Sequence, residues 1–442
     1  MAATRFDHSR IWKRFEPVMN SERIEATYLL ETPMDPTQIA AVMAGEQSSG
    51  TFVRVAGETD ELRARAGAEV LKVTELASVP EPSLESAYLE RKAIHGPYRR
   101  AHVRIAYPVA NIGHNLPTLA ATVSGNLYDI GEVTGLKLLS LSIPQAYRSR
   151  YLMPSMGITG TRAQLGVIDR PLFGTIIKPN VGMCSHEIAD LVETLCEAGV
   201  DFIKDDEVCA NPDHAPITER VPAVMARIRA YRDRTGRDVM MAFNITDETD
   251  AMRRHTDLVT SEGGSCVMAS LNWCGLSGIE SLRKHTPLAL HAHRNGFGAM
   301  SRHPLLGIAF DAYQAMYRLA GVDHMHVHGI GGKFVDKAEE VQAAAQACIS
   351  PLAINGSDVN DRVMPAFSSG QWAGTLPHTF EAVGSTDFLF MAGGGILAHP
   401  GGPAAGVRSL QQAWDATSAG QSLNTSKTKA LELQVALEFF GT

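Results

Sequence analysis

The chain has 442 residues, 45% of them hydrophobic and 20% charged, with a formal net charge of -8 at pH 7. That composition describes a soluble globular protein able to bury a sizeable core, with room for one large domain and a smaller one. It offers no basic surface for nucleic acid, no window approaches the length of a membrane span, and the first residues lack the apolar core of a signal peptide. The six cysteines contain no CxxC pair, which speaks against zinc and a disulfide framework and for a reducing cytosol. The expectation is a cytoplasmic protein whose partners include neither nucleic acid nor membrane.

In chain order, Ile24–Leu30 alternates like a strand and Pro36–Met43 reads as a helix, followed by the Ser48–Thr51 turn. Ala68–Val73 and Ala101–Val109 are strand candidates on either side of the Pro-rich connection Ser78–Pro82. A helical stretch at Leu116–Val123 precedes the Gly125-Asn126 break, and a strand at Gly135–Ile143 is closed by Pro144. Residues 1–150 therefore read as a small α+β domain.

From about Pro171 the pattern becomes a regular alternation of short apolar strands and amphipathic helices. The strands are expected at Leu172–Lys178, Asp201–Lys204, Val239–Asn244, Ser265–Leu271, Leu288–Arg294, His324–Val327, Val363–Ser368 and Phe388–Ala392. Helices such as His186–Ala198, Val221–Arg234, Phe310–Ala320 and Asp336–Cys348 lie between them, ending near Gly or a polar turn. Eight β/α repeats are the count of a TIM (β/α)8 barrel, here within residues 151–442. An open doubly wound sheet is the alternative, but no GxGxxG opens the first repeat.

Functional groups of such a barrel sit at the carboxyl ends of its strands. The first strand ends in Lys178-Pro179-Asn180, and the second in Lys204-Asp205-Asp206-Glu207. Alone, a charge run is a solvated loop. In an extended strand, however, Phe202, Lys204 and Asp206 share one face while Ile203 and Asp205 share the other. Asp205 is thus expected to face away from the interior. His291 and His293 share a face of the fifth strand, and His324, His326 and His328 a face of the sixth. A lone histidine there is a hydrogen-bonded core residue; several, beside a carboxylate strand, point to an active site. Gly329–Phe334 lacks the Walker spacing and reads as a mobile lid carrying Lys333. Ser368-Ser369-Gly370 and Gly393-Gly394-Gly395 leave backbone N–H groups open to a phosphate, although the triple glycine also suits a tight strand-to-helix turn. Asp206 and Glu207 are hard oxygen donors suited to Mg²⁺. Lys204 completes the set if its neutral amine adds CO₂ to form a carbamate.

These residues resemble the large chain of ribulose bisphosphate carboxylase/oxygenase (RuBisCO) over nearly the whole length. Gly174–Gly182, GTIIKPNVG, resembles the family's first-strand motif, and Asp201–Glu207 its metal motif. The resemblance implies a (β/α)8 barrel behind a ferredoxin-like N-terminal domain. It implies metal ligation by carbamylated Lys204, Asp206 and Glu207, acid–base work by Lys178, and His293, Arg294 and His326 lining the site. Lys333 matches the lid lysine that holds the carboxylate or CO₂ end of the reactants, and Ser368, Gly370, Gly393 and Gly394 match substrate- and phosphate-binding positions. Glu46, Thr51 and Asn126 match residues inserted into a neighbouring subunit's site, which implies a homodimer or an assembly of dimers.

Departures redirect the chemistry. Asn180 stands where the carboxylase has a second lysine, Phe297 replaces a histidine, Phe52 a tryptophan and Ile176 a threonine. The chain is therefore similar to RuBisCO-like proteins of the form IV type rather than to CO₂-fixing enzymes. With Lys333 retained, the expectation is decarboxylation or C–C cleavage of a sugar-acid phosphate such as 3-oxo-isoapionate 4-phosphate. The alternatives are a methylthio-sugar phosphate enolase or isomerase, and a non-catalytic binding or regulatory protein on the same scaffold.

Overall fold

The computed structural model describes residues 22–50, 54–354, 360–426 and 430–441. Thr51 and Phe52 lie outside the described residues. Two compact units emerge, one drawn from the described residues of 1–151, 296–316 and 352–358, the other from those of 152–295, 317–351 and 359–442.

In the first unit, strands Arg23–Thr32, Glu69–Glu75, Arg99–Pro108 and Gly135–Pro144 form an antiparallel sheet ordered fourth, first, third, second. With helices Pro36–Glu46 and Leu116–Ser124 in the connections, this is the βαββαβ order of a ferredoxin-like domain. Alternation drives it: Ile24, Ala26, Tyr28 and Leu30 are buried along one face of the first strand. The first helix starts at Pro36 because Asp35 caps it, accepting from the Thr37 amide at 2.8 Å. Tyr28 Oη donates to the Val123 carbonyl at 2.8 Å and meets Tyr107 Oη at 3.1 Å, tying the sheet to the second helix. Two short strands from later in the chain extend this sheet in parallel on Gly135–Pro144: Leu306–Ile308 against residues 136–138, and Ala353–Ile354 against Ile143 and Pro144. The sequence gives no hint of that recruitment.

The second unit is a closed parallel barrel of eight strands: Leu172–Ile176, Phe202–Lys204, Met240–Asn244, Cys266–Ser270, Ala289–His293, His324–His328, Met364–Ser368 and Leu389–Met391. All eight lie within the stretches expected from the sequence, give or take one end residue. Their inward side chains include Leu172, Phe202, Met240, Ala242, Cys266, Met268, Ala289, Met364, Ala366, Leu389 and Met391, a packed core. At the amino-terminal end of the strands, two buried carboxylates pin the frame. Asp201 accepts from the Phe173 amide and the Arg170 guanidinium, and Asp323 from the amides of Met156, Gly157 and Leu290 and from Arg283. Polar strand ends are thereby left for the opposite rim. Among the described residues, no helix is long and apolar enough to cross a membrane.

Candidate active site

The second barrel strand is three residues long, and register sets Lys204 level with Ile176 on one side and Ala242 on the other. Lys204 is fully buried, and its Nζ donates to the Asp205 carbonyl at 2.9 Å and lies 3.9 Å from Glu207 Oε2. Burial pushes its ammonium down to about 8, against the opposing pull of Glu207, Asp206 and Asp205. A sizeable fraction of the neutral amine is therefore present at mildly alkaline pH. Asp206, also buried, accepts from Lys178 Nζ at 2.6 Å, and the same ammonium donates to Asn180 Oδ1 at 2.8 Å.

Asp205 points the other way, as the strand's alternation requires. It faces buried Arg220 at 3.3 Å and accepts from the Asn244 amide at 2.9 Å. Arg220 in turn donates to the carbonyls of Ala210 and Ala215, holding the loop that follows the motif. Asn244, at the end of the third barrel strand, donates through Nδ2 to the carbonyls of Asp206 and Glu207 at 3.0 and 3.2 Å. Sequence reasoning missed this clamp; the available signal was a polar residue closing an apolar barrel strand.

His293 extends the cluster. Its Nε2 lies 3.6 Å from Glu207 Oε2 and its ring centroid 4.5 Å from that of His326. Burial, with the nearby Lys204 charge, pushes His293 well below the ordinary histidine value, so the imidazole is neutral. His326 Nδ1 meets Ser368 Oγ at 3.0 Å. Lys178, Lys204, Asp206, Glu207, His293, His326 and Ser368 thus form one continuous array on the strand ends. Arg294 lies beside it in sequence but approaches Asp336 at 3.7 Å, and Asp336 also bonds His328 Nδ1. Asp336 had no distinguishing signal in the sequence.

The expected glycines differ in what they need from the protein. Gly370 has φ of 70°, a left-handed conformation, and a Cβ there would stand 3.2 Å from the Lys333 amide. A Cβ on Gly393 would meet only Ile176 Cδ1 at 3.3 Å, and one on Gly394 would meet nothing within 4 Å. Among the described residues, no neighbour therefore demands a glycine at 394, whereas at 393 the Ile176 side chain would have to give way. Lys333 itself is exposed, with its ammonium 5.6 Å from the Phe334 ring centroid. In the first unit, Glu46 ends its helix and Asn126 starts a 3-10 turn, both exposed. They come together through Gln47, whose amide, oriented to satisfy both its atoms, accepts from the Asn126 amide at 3.0 Å and donates to the Ala121 carbonyl at 3.1 Å. Phe297 belongs to that unit's core, its ring centroid 4.4 Å from that of Tyr313.

Two family models cover almost all of the chain: ribulose bisphosphate carboxylase large chain, N-terminal domain, over residues 19–147, and the catalytic domain of the same large chain over 157–440. A Xanthobacter autotrophicus protein named 3-oxo-isoapionate-4-phosphate transcarboxylase/hydrolase is 44% identical over 95% of this chain and 100% of its own length. A Rhizobium etli protein named 3-oxo-isoapionate-4-phosphate decarboxylase is 41% identical over 95% of this chain and 99% of its own. The crystal structure of a rubisco-like protein from Burkholderia fungorum superposes with a TM-score of 0.89 at 60% identity, covering 94% of this chain and 99% of that one. Barrel, N-terminal domain and full-length relatives agree, and the chain belongs to the ribulose bisphosphate carboxylase large-chain family.

Proposed function

We propose that this protein is a Mg²⁺-dependent carbon–carbon lyase acting on a sugar-acid phosphate, either decarboxylating 3-oxo-isoapionate 4-phosphate or cleaving it with carboxyl transfer and hydrolysis. One observation carries the reading. A buried lysine whose amine is already eased toward neutrality lies 3.9 Å from Glu207 and within the electrostatic reach of Asp206 and Lys178, in a chain whose full-length relatives bear those activity names.

The donor set suits the metal. Asp206 and Glu207 offer hard oxygens, and among the described residues no three His, Cys, Asp or Glu side chains gather to hold a metal. The third donor is instead the amine of Lys204, which becomes an anionic oxygen donor only as a carbamate. Mg²⁺ held there supplies Lewis acidity at the 3-oxo group. Lys178 holds a proton at Nζ, shared with Asp206, ready to pass to the carbon from which the carboxyl departs. Neutral His293 accepts from the Asn295 amide at Nδ1 and so offers its Nε2–H as a donor without adding charge, while His291 and Ser368 occupy both nitrogens of neutral His326. The open space over Gly394 leaves backbone room for a phosphate oxygen. Lys333, on the loop after the sixth strand, is the cation offered to the carboxylate end. Asn180 spends its Oδ1 on Lys178 and brings no second ammonium, which fits an enzyme that does not fix CO₂. Glu46 and Asn126, adjacent and exposed, fit groups donated to another subunit, in a homodimeric cytoplasmic enzyme.

The test incubates protein with Mg²⁺ and bicarbonate, adds 3-oxo-isoapionate 4-phosphate, and follows CO₂ release and carboxylate products. Turnover is expected, with Lys204→Ala losing it by at least about 10²-fold while the fold is retained. Inert behaviour toward this substrate, with enolisation of 2,3-diketo-5-methylthiopentyl 1-phosphate instead, would replace the lyase with the enolase.

A further inference from the structure

Five polar side chains cross the barrel interior in single file, and the first three take no part in the proposed chemistry. Thr161, on helix Gly157–Leu165, places Oγ1 2.8 Å from His324 Nε2. His324 Nδ1 is 3.3 Å from His291 Nδ1, His291 Nε2 is 2.8 Å from His326 Nε2, and His326 Nδ1 is 3.0 Å from Ser368 Oγ. Thr161 and the three histidines are all buried, and Phe202 packs its ring against those of His291 and His324.

Burial keeps all three imidazoles neutral, with His324 lowered to about 4 and the other two well below the ordinary value. A neutral imidazole carries one N–H, so it donates at one nitrogen and accepts at the other. Each bond in the file therefore dictates the next. The direction is set at the far end, where Thr161 Oγ1 lies 2.6 Å from the Gly157 carbonyl oxygen. A carbonyl only accepts, so the single hydroxyl proton of Thr161 is committed there, and its oxygen accepts from His324 Nε2–H. It follows that His324 Nδ1 accepts from His291 Nδ1–H, His291 Nε2 from His326 Nε2–H, and His326 Nδ1 from the Ser368 hydroxyl.

We propose that Thr161, His324 and His291 are positioning residues that lock His326 in its Nε2–H tautomer, so that Ser368 turns its proton inward and offers only lone pairs to the barrel mouth. A ligand group at Ser368 must then be a donor. The hydroxyl of a polyol chain qualifies, whereas a phosphate or carboxylate oxygen would meet lone pair with lone pair. This consequence for the ligand rests on the proposed sugar-phosphate reading; the tautomer lock does not. Reversing the file requires three histidines to exchange tautomers together and the Thr161 hydroxyl to leave the Gly157 carbonyl.

The experiment is magic-angle-spinning NMR of protein labelled with 15N-histidine, without substrate or metal, so that failure of the enzymatic reading leaves it unaffected. Couplings across the two N–H···N bonds identify donor and acceptor directly. The expected set is His326 Nε2–H, His291 Nδ1–H and His324 Nε2–H, each as a single tautomer; any other set in the native protein overturns the proposal. Thr161→Val leaves the His324 Nε2–H without an acceptor, and the three histidines are expected to shift together to the opposite tautomers. Thr161→Ser is expected to keep the native set. An unchanged set in Thr161→Val would show that the threonine does not anchor the file.

Discussion

Replacing Arg220 by methionine removes the cation that faces Asp205 while nearly preserving side-chain length. Both partners are almost completely buried, at 0% and 1% exposure and 3.3 Å apart. The substitution leaves Asp205 without its ion partner, keeping only the Asn244 amide on Oδ2, and strips donors from the carbonyls of Ala210 and Ala215. Breaking one side of a buried ion pair costs about 3–5 kcal/mol. For a unit of this size that is a melting temperature lower by roughly 6–20 °C. Burial already pushes the Asp205 carboxyl above its ordinary value, with Arg220 holding it back, so the variant is expected to take up a proton there. Adding Asp205→Asn removes the unpaired charge and should recover much of the loss. The assay is thermal unfolding of the two single variants and the double variant, which yields their coupling energy. A drop below about 2 °C in Arg220→Met, or a double variant no better than the single, would refute the argument. Turnover of the double variant adds a second reading. Asp205 faces away from the other carboxylates, so Mg²⁺-dependent activity should survive in the folded fraction, whereas Asp206→Asn should abolish it.

Lys178→Met deletes the ammonium that donates to Asp206, and kcat of the folded protein should fall by about 10²–10⁴-fold; a loss confined to KM would assign the lysine to binding instead. The buried histidines give a pH signature. Because folding lowers their pKa values, the native state stays neutral while the unfolded chain protonates below about 6.5, so stability is complete above that pH and falls as pH drops toward about 4. His324 alone accounts for about 3 kcal/mol across that interval. His324→Gln should flatten the acid limb of a melting-temperature profile, and an unaltered limb would count against burial as its cause.

The strand ends show where a chain suffices and where it does not. Apolar runs of a few residues, each closed by Gly or a polar turn, placed all eight barrel strands, because strand burial and turn chemistry are local properties. The same period of two put Lys204 and Asp206 on one face and Asp205 on the other, which the Arg220 pair bears out in geometry. Depth along the barrel is another matter. His291 and His293 share a face, as do His324 and His326, yet His291 and His324 lie in the interior against Phe202 while His293 and His326 approach Glu207 and Ser368. Depth follows from strand stagger and closure, which couple residues far apart in sequence and leave no trace in any one segment. Tertiary pairing likewise drew Leu306–Ile308 and Ala353–Ile354 onto the N-terminal sheet and Phe297 into that unit's core. The sequence by itself determined which face of its strand each side chain takes; only the closed barrel decided which of them reach the rim and meet there, because convergence requires eight strands to share one axis.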